Sequence, residues 1–230
     1  MIELLNVDCL EYMATLPDNA FDIAVVDPPY GINAGNGIGR SGRIAVAKGK
    51  VNGGSWDSSP PRDDYFTEIF RVSKNQIIWG GNYFKQLPCY NPKLKRRHEF
   101  KGIDGLIWDK GETMYGRDFN ECELAFSTVG NGWFKKSPIQ ASRIHPTQKP
   151  KALYQWLFKN YVQPGWKILD THLGSGSSAI AAYHMGFDFV GCEIDKDYFD
   201  QMQARYNRET DEGMFAGFIN NSAQYKPQTA

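Results

Sequence analysis

Asp27-Pro28-Pro29-Tyr30 is the segment of this chain whose residue types point most directly to chemistry. It follows the apolar segment Phe21–Val26, which is typical of a buried strand. The Asp27 carboxylate, and a main-chain carbonyl held in place by the fixed φ of proline, could accept the hydrogens of a planar ring that carries an amino group. Tyr30 could stack on that ring. Asp and Pro are also ordinary turn residues, so the rest of the chain must decide between a catalytic motif and a plain turn.

Residues 167–179 form a second motif, which has the pattern of a strand, a glycine-rich turn and the start of a helix. Gly174 and Gly176 permit a tight turn and a close approach of the backbone to a ligand. Glu193 ends the next strand pattern and could accept both hydroxyls of a ribose. Asp170 would attract the sulfonium and amino group of S-adenosylmethionine and repel a pyrophosphate. A nicotinamide-dependent oxidoreductase stays open, because the same glycine spacing occurs in dinucleotide-binding turns.

The third motif is His-Pro-Thr-Gln-Lys-Pro at residues 145–150, directly before a predicted helix. Its two prolines would fix the path of the chain into the helix, whose free N–H groups could bind a cofactor carboxylate. Thr147, Gln148 and Lys149 would add hydrogen-bond donors. An ordinary turn before a helix is the alternative interpretation.

Basic residues concentrate in two segments, although the formal net charge of the chain is zero. Residues 33–54 contain no acid, and a second basic cluster lies at residues 93–101. Both follow strand ends, where ligands gather in α/β folds, so we expect them to contact a phosphate backbone. The predicted nucleic-acid-binding residues are Arg40, Arg43, Lys48, Lys93, Lys95, Arg96 and Arg97. Loops that are charged only for solubility are the alternative.

Strand and helix patterns alternate along the chain, which predicts an α/β fold with a mostly parallel sheet and helices on both faces. The seven predicted strands are residues 2–6, 21–26, 76–79, 105–108, 124–127, 167–170 and 189–193. Helices are predicted over residues 63–71, after Pro150, over residues 177–185 with Gly186 as the stop, and from Lys196 onwards.

The composition is that of an ordinary globular domain, with 41% hydrophobic and 23% charged residues in a chain of 230. No apolar run approaches the roughly 20 residues that span a membrane, and the N-terminus lacks a signal-peptide pattern, so a cytoplasmic protein is expected. The four cysteines and four histidines show no ligand spacing, so no metal is expected.

Taken together, the motifs resemble those of the DNA amino-methyltransferases, which move a methyl group from S-adenosylmethionine to an exocyclic base nitrogen. Asp27–Tyr30 is similar to the Asp-Pro-Pro-Tyr catalytic motif of that family, and residues 170–178 resemble its cofactor motif. Residues 145–150 resemble the segment that precedes the cofactor motif, and residues 6–10 resemble a short element whose Asp lies near the cofactor's adenine. The order of the motifs matches the beta class, which is a circular permutation of the usual arrangement.

This resemblance, over roughly residues 2–208, implies a Rossmann-like methyltransferase fold with a seven-stranded sheet, one strand antiparallel, and strand 2–6 beside strand 189–193. It also implies a single domain over residues 1–217, with a mobile loop at 31–62 and a small target-recognition insert at about 85–143. Residues 218–230 are expected to form a flexible tail. Thr171, His172 and Leu173 depart from the family's cofactor motif, as do Ser177 and Ser178, which replace paired threonines.

The resemblance also implies the roles of individual residues. The expected catalytic residues are Asp27, Pro28, Pro29 and Tyr30. The expected cofactor-binding residues are Asp8, Cys9, His145, Thr147, Gln148, Lys149, Asp170, Leu173, Gly174, Ser175, Gly176, Ser177 and Glu193. An Asp at the first motif position leans towards adenine, so methylation of a flipped adenine in duplex DNA is expected.

Other activities stay open at this point. Cytosine-N4 methylation of DNA uses the same amino-group chemistry, as does methylation of RNA or of a protein amide. A non-catalytic nucleic-acid-binding module would explain the basic segments but not a cofactor pocket. Relatives of the resembling group often form dimers, so a homodimer is also an expectation.

Overall fold

Eight strands and five α-helices make up the described part of the chain in the computed structural model, which describes residues 1–32, 57–91, 93, 105–111, 120–135, 144–145 and 147–211. The strands are β1 (Ile2–Leu5), β2 (Phe21–Val26), β3 (Ser73–Trp79), β4 (Leu106–Asp109), β5 (Cys122–Ser127), β6 (Gly132–Lys135), β7 (Lys167–Asp170) and β8 (Asp188–Cys192). The helices are α1 (Cys9–Ala14), α2 (Asp63–Val72), α3 (Lys151–Tyr161), α4 (Ser177–Met185) and α5 (Lys196–Thr210).

All eight strands belong to one sheet, in the order β1-β8-β7-β2-β3-β5-β4-β6. Only β5 among them runs antiparallel to its neighbours, so the prediction of a mostly parallel sheet is confirmed. The expected pairing of the N-terminal strand with β8 is also confirmed, with Ile2 opposite Phe189. The expected count of seven strands is wrong, because β6 adds an eighth beside β4. This strand has only four residues, alternately half-buried and exposed, so its sequence signal is weak.

Helices cover both faces of the sheet, as the alternating pattern predicted. On β2, Ile23 and Val25 belong to the core cluster shared with α3, α4 and α5, whereas Ala24 and Val26 belong to the cluster shared with α1 and α2. Successive side chains of a strand point to opposite faces, so a strand that is apolar on both sides must be covered twice. The predicted helices at α2, α3, α4 and α5 are confirmed, and α1 was not predicted.

The sheet has a topological switch point between β7 and β2. From β7 the chain proceeds through α4 to β8 on one side, and from β2 it proceeds through α2 to β3 on the other. β2 and β7 are parallel neighbours, with Ile23 opposite Ile168 and Ala24 opposite Leu169. Ligands of open α/β sheets bind in the crevice at such a point, outside the carboxyl ends of the strands. Asp27 directly follows β2 and Asp170 ends β7, so both carboxylates lie at this edge.

Residues 85–143, in which a small target-recognition insert was expected, contribute β4, β5 and β6 to the central sheet. The rest of this region, most of the expected loop at 31–62 and the whole expected tail at 218–230 lie outside the described residues. In the described ranges, no helix is both long enough and apolar enough to span a membrane.

Candidate active site

The segment after β2 is held in place by hydrogen bonds from both sides. The Tyr30 hydroxyl donates to Asp27 Oδ1 over 2.6 Å. The backbone N–H groups of Tyr30 and Gly31 both donate to Asp57 Oδ1, over 2.7 and 2.8 Å. Asp57 is buried, so this pair of bonds fixes the backbone of the tyrosine. The motif is therefore a rigid strand end with its carboxylate at the switch point.

The Tyr30 ring lies in a close-fitting site. It stacks on Tyr83 with ring centroids 5.1 Å apart and an angle of 14° between the planes. A Cβ atom at Gly80 would lie only 2.2 Å from the Tyr30 ring, and Gly80 has a φ of +71°. A side chain at Gly80 would therefore displace the ring. Because Tyr83 covers one face of Tyr30, a substrate ring could stack only on the other.

Lys149 joins the catalytic motif to β5. Its ammonium lies 2.6 Å from Asp27 Oδ2 and 2.8 Å from Glu123 Oε2, and it donates to the Tyr30 hydroxyl over 3.1 Å. The lysine side chain is only 4% exposed. Three acceptors thus satisfy the three N–H donors of a buried ammonium. Lys149, which was expected to bind cofactor, thus has its ammonium on the Asp27 carboxylate.

Lys110 completes a buried cluster of four charges with Asp27, Glu123 and Lys149, since its ammonium pairs with Glu123 Oε1. Burial alone would raise the pKa of Glu123, but the two ammonium groups lower it to about 2. Burial raises the pKa of Asp27, and the Lys149 charge opposes this shift only in part. Asp27 is therefore the more basic carboxylate of the cluster.

Acids at the ends of β7 and β8 hold the glycine-rich turn. Asp170 Oδ1 accepts the His172 N–H over 3.0 Å, and Asp170 Oδ2 accepts the Ser178 hydroxyl over 2.6 Å. Glu193 Oε2 accepts the Gly174 N–H over 2.9 Å. These bonds tie the turn to both strands, so its shape is set before any ligand binds.

The glycines of this turn play two different roles. A Cβ atom at Gly176, whose φ is +74°, would lie 2.6 Å from Met202 Cγ, so this glycine allows α5 to pack closely. At Gly174 the nearest atom to such a Cβ is His145 Cδ2, 3.9 Å away. Gly174 therefore borders open space that could receive a ligand. Leu173, in contrast, packs beneath the turn against Gly191.

The edge of the sheet near the turn is acidic. Burial raises the pKa of Asp170 to about 7 and also raises the pKa of Glu193. Asp8 caps α1 by accepting the Leu10 N–H over 2.7 Å. Burial, and then the Asp8 charge, raise the pKa of the Cys9 thiol to about 12. Carboxylates here suit a ligand with positive charge and hydroxyl groups, and they would repel a pyrophosphate.

Residues 144, 145, 147 and 148 lie near the glycine-rich turn, with His145 Cδ2 3.9 Å from the position of a Cβ at Gly174. The His145 ring is 4.7 Å from that of Tyr198, and its Nδ1 is 3.1 Å from Thr147 Oγ1. Burial and the Lys149 charge lower the pKa of His145 to about 4, so the imidazole is neutral at pH 7. The Gln148 side chain accepts the Ile144 N–H over 3.1 Å. His145 therefore lies beside the cofactor motif.

Arg205 on α5 supports the glycine-rich turn from behind. Its Nη1 donates to the Ser175 carbonyl over 2.8 Å and to Ser177 Oγ over 3.0 Å. Its Nε donates to Glu209 Oε1 over 2.8 Å. The Ser177 hydroxyl, expected to bind cofactor, thus faces this buried guanidinium.

Thr171 and His172, which depart from the cofactor motif of the resembling family, pack against Tyr65 of α2. Thr171 Oγ1 lies 2.7 Å from the Tyr65 hydroxyl and 2.9 Å from His172 Nδ1. Burial lowers the pKa of His172 to about 4, so a neutral ring packs edge-on against Tyr65.

Of the predicted nucleic-acid-binding residues, Lys93 lies in the described part of the chain and is exposed. Arg40, Arg43, Lys48, Lys95, Arg96 and Arg97 lie outside it. Within the described ranges there is no group of three or more His, Cys, Asp or Glu side chains that could hold a metal ion.

Comparison with known proteins distinguishes a DNA methyltransferase from a nicotinamide-dependent oxidoreductase. A family model described as DNA methylase, of the N6 and N4 type, matches residues 91–204. This match covers 114 of the 230 residues, just under half of the chain. With the relatives and solved structures that resemble the chain, it supports an N6/N4 DNA amino-methyltransferase with S-adenosylmethionine as the methyl donor, so the nicotinamide-dependent alternative falls away.

Individual relatives span almost the whole methylase chain. YubD of Escherichia coli (strain K12) is 26% identical over 217 residues, which cover 89% of this chain and 90% of that protein. The type II methyltransferase M2.DpnII of Streptococcus pneumoniae is 22% identical, with 90% of each chain covered. The crystal structure of the M1.HpyAVI–SAM complex, at 18% identity, has a TM-score of 0.56 and covers 89% of this chain and 100% of its own. This last likeness shows a shared fold.

Four residues of this methylase site were not found from the sequence: Asp57, Lys110, Glu123 and Arg205. None belongs to a motif itself. Asp57, Glu123 and Arg205 each contact a motif that is distant along the chain, and Lys110 pairs with Glu123. Glu123 has one usable signal, since it is a charged residue within the largely apolar segment Cys122–Ser127.

Loss of the Arg205 guanidinium should weaken cofactor binding in this methylase. We expect Arg205→Met to raise the Kd for S-adenosylmethionine about tenfold, because a buried charge-assisted hydrogen bond to the turn is lost. Isothermal titration calorimetry would measure the change. The matched control is Arg208→Met, which removes an exposed arginine from the same helix. Equal affinities for the two variants would show that Arg205 does not support the turn.

Proposed function

We propose that this methylase transfers a methyl group from S-adenosylmethionine to the N6 amino group of adenine in DNA. The observation that carries the proposal is the position of Asp27, a half-buried carboxylate at the switch point beside the acidic glycine-rich turn. A carboxylate there can accept amino hydrogens of a base while the cofactor lies across the neighbouring strands β7 and β8.

The described residues fit S-adenosylmethionine by their chemistry. Gly174 borders open space, and Asp170 and Glu193 place carboxylates at the same turn. We assign the ribose to Glu193, the adenine end to Asp8 and Cys9, and the methionine end to the turn with His145 and Thr147. When bound, the cofactor supplies a methyl group activated by a positively charged sulfur.

The substrate amino group needs activation, because its lone pair is delocalised into the ring. Asp27 and the Pro28 carbonyl would accept the two amino hydrogens, and Pro29 would keep the strand end rigid. The Tyr30 ring would contact the base on the side that Tyr83 does not cover. The nitrogen lone pair would form the N–C bond as the methyl group leaves the cofactor's sulfur with its S–C bond pair left behind, and Asp27 would take the amino proton that is released. Alignment of the reacting atoms would supply much of the rate.

The basic segment at residues 33–54 supports DNA as the substrate. Described residues that flank it in the sequence meet each other, since the Asp57 carboxylate accepts the N–H groups of Tyr30 and Gly31. We propose that this segment, with the basic residues 93–101, binds phosphates beside a base that has left the duplex, at a cost of a few kcal/mol.

The methylated nucleoside identifies the base. The purified protein would be incubated with S-adenosylmethionine and unmethylated duplex DNA, and the DNA digested and analysed by mass spectrometry. We expect N6-methyladenine, because a carboxylate at the first motif position leans towards adenine in the resembling family. N4-methylcytosine as the sole product would show that the cytosine alternative is right. The same assay with RNA would test that substrate.

A further inference from the structure

Glu123 occupies a position that no sequence motif marks. It lies near the start of β5, the antiparallel strand, so the chain brings it to the edge where the parallel strands end. There it is only 17% exposed and stands between two lysines, with Oε1 on Lys110 and Oε2 2.8 Å from Lys149. Through Lys149, a carboxylate in this position affects the other two groups that the ammonium contacts, Asp27 and the Tyr30 hydroxyl.

Lys149 is shared between two carboxylates. Its distances to Asp27 Oδ2 and Glu123 Oε2, 2.6 and 2.8 Å, are nearly equal. Without Glu123, Asp27 would be the one carboxylate of the described residues at hydrogen-bond distance from this buried ammonium. Lys149 would then hold Asp27 in an exclusive ion pair, and the carboxylate would be a weaker acceptor for amino hydrogens of a base.

We propose that Glu123 is a positioning residue for methyl transfer, which holds Lys149 and shares its charge so that Asp27 stays available to the amino group. This inference rests on the function proposed above. It assigns Glu123 no contact with the substrate, since its effect passes through Lys149.

The proton balance of the reaction supports this role. Before transfer, Asp27, Glu123, Lys149 and Lys110 carry two negative and two positive charges. As the N–C bond forms and the S–C electron pair remains on sulfur, the amino nitrogen becomes positive and releases one proton, which Asp27 takes. Glu123 then remains as the counter-ion of both lysines. Two carboxylates with separated pKa values can divide the roles of proton acceptor and fixed charge in this way.

Several titratable groups act on Asp27, and Glu123 is the acid among them that shares a lysine with it. Tyr30 and Lys149 contact it directly, and Lys110 acts through Glu123. The others that face the cluster from the surrounding elements are Tyr65 of α2, Tyr154 of α3 and Asp170 of β7. The test must therefore separate the specific effect of Glu123 on Asp27 from the effect of any change of charge near the cluster.

The experiment compares Glu123→Gln with Lys149→Met in single-turnover methyl transfer across a range of pH. For Glu123→Gln we expect a rate about tenfold lower, with an unchanged Kd for S-adenosylmethionine. The acidic limb of its pH profile should move about one unit lower, because a negative charge near Asp27 is lost. For Lys149→Met the limb should move to higher pH, because a positive charge is lost. Glu123→Asp, which keeps the charge, should leave the limb near its original position.

The control is Glu121→Gln, the same substitution two residues earlier, at an acid that is not among the ion-pair partners of Lys149. It should leave the rate and the profile unchanged. Shifts in the same direction for Glu123→Gln and Lys149→Met would overturn the proposal, as would an effect of Glu121→Gln equal to that of Glu123→Gln.

A second measurement needs no methyl transfer and so separates this inference from the proposed function. The ¹³C signal of the Asp27 carboxyl, assigned by its loss in Asp27→Asn, is titrated in the free protein. A lower Asp27 pKa in Glu123→Gln supports the charge sharing, and an unchanged one overturns it even if the wild-type protein methylates DNA. If the wild-type protein transfers no methyl group to DNA, the proposed function fails, whereas the shared charge is still judged by this titration.

Discussion

Replacing Asp27 with alanine should reduce methyl transfer by at least about a thousandfold while cofactor binding persists. The change removes the carboxylate that we propose accepts one amino hydrogen and then the released proton. The fold should tolerate it, because Lys149 keeps Glu123 and Tyr30 as partners. The effect should therefore fall on the chemical step.

Two measurements on the Asp27→Ala variant separate chemistry from binding. Transfer of a labelled methyl group to DNA gives the rate, and calorimetry gives the Kd for S-adenosylmethionine. Asp200→Ala is the matched control, since it removes an exposed carboxylate that pairs with Lys196 on α5. Methylation at the wild-type rate by Asp27→Ala would disprove the catalytic assignment. Loss of cofactor binding would instead place Asp27 in the cofactor site.

Sequence alone predicted the features whose residues are neighbours along the chain. Asp27 to Tyr30 are consecutive, and the turn from Asp170 to Ser178 is a single local segment, so their spacing is visible without a structure. The pairing of β1 with β8 was predicted because the motif order implied a circular permutation, and the register confirms it. Asp170 accepts hydrogen bonds from His172 and Ser178 of the same segment, so this part of the turn could be identified as one motif.

The charge cluster could not be predicted, because its members meet only through the topology of the sheet. Glu123 lies on an antiparallel strand and Lys149 in the segment before α3. The sequence does not show that these two elements bring the side chains together. Lys149 belongs to a recognised motif, yet its ammonium turns towards β2. Likewise, nothing in the sequence distinguishes Arg205 from an exposed helix arginine such as Arg208. Only the packing of α5 buries it against Ser175. Long-range ion pairs of this kind follow from tertiary structure, not from local patterns.

Cofactor affinity should depend on pH through Asp170, and the Asp170→Asn variant should lose that dependence. Burial raises the pKa of this carboxyl to about 7, so near pH 6 it is mostly protonated. A positively charged ligand favours the ionised form, and affinity should therefore increase as the pH rises through the pKa. Between about pH 6 and about pH 8 the ionised fraction rises about tenfold, which sets the expected change in Kd.

Asp170→Asn should weaken binding about a hundredfold at about pH 8, because it removes the negative charge and also one acceptor for the His172 N–H or the Ser178 hydroxyl. Calorimetric titrations with S-adenosylmethionine at constant ionic strength would measure both effects. Asp188→Asn is the matched control, because this exposed Asp begins β8 at the opposite edge of the sheet. If the pH dependence survives in Asp170→Asn, the titrating group is another acid of the edge. Glu193 would be the first to test, since burial raises its pKa as well and its carboxylate holds the other end of the same turn.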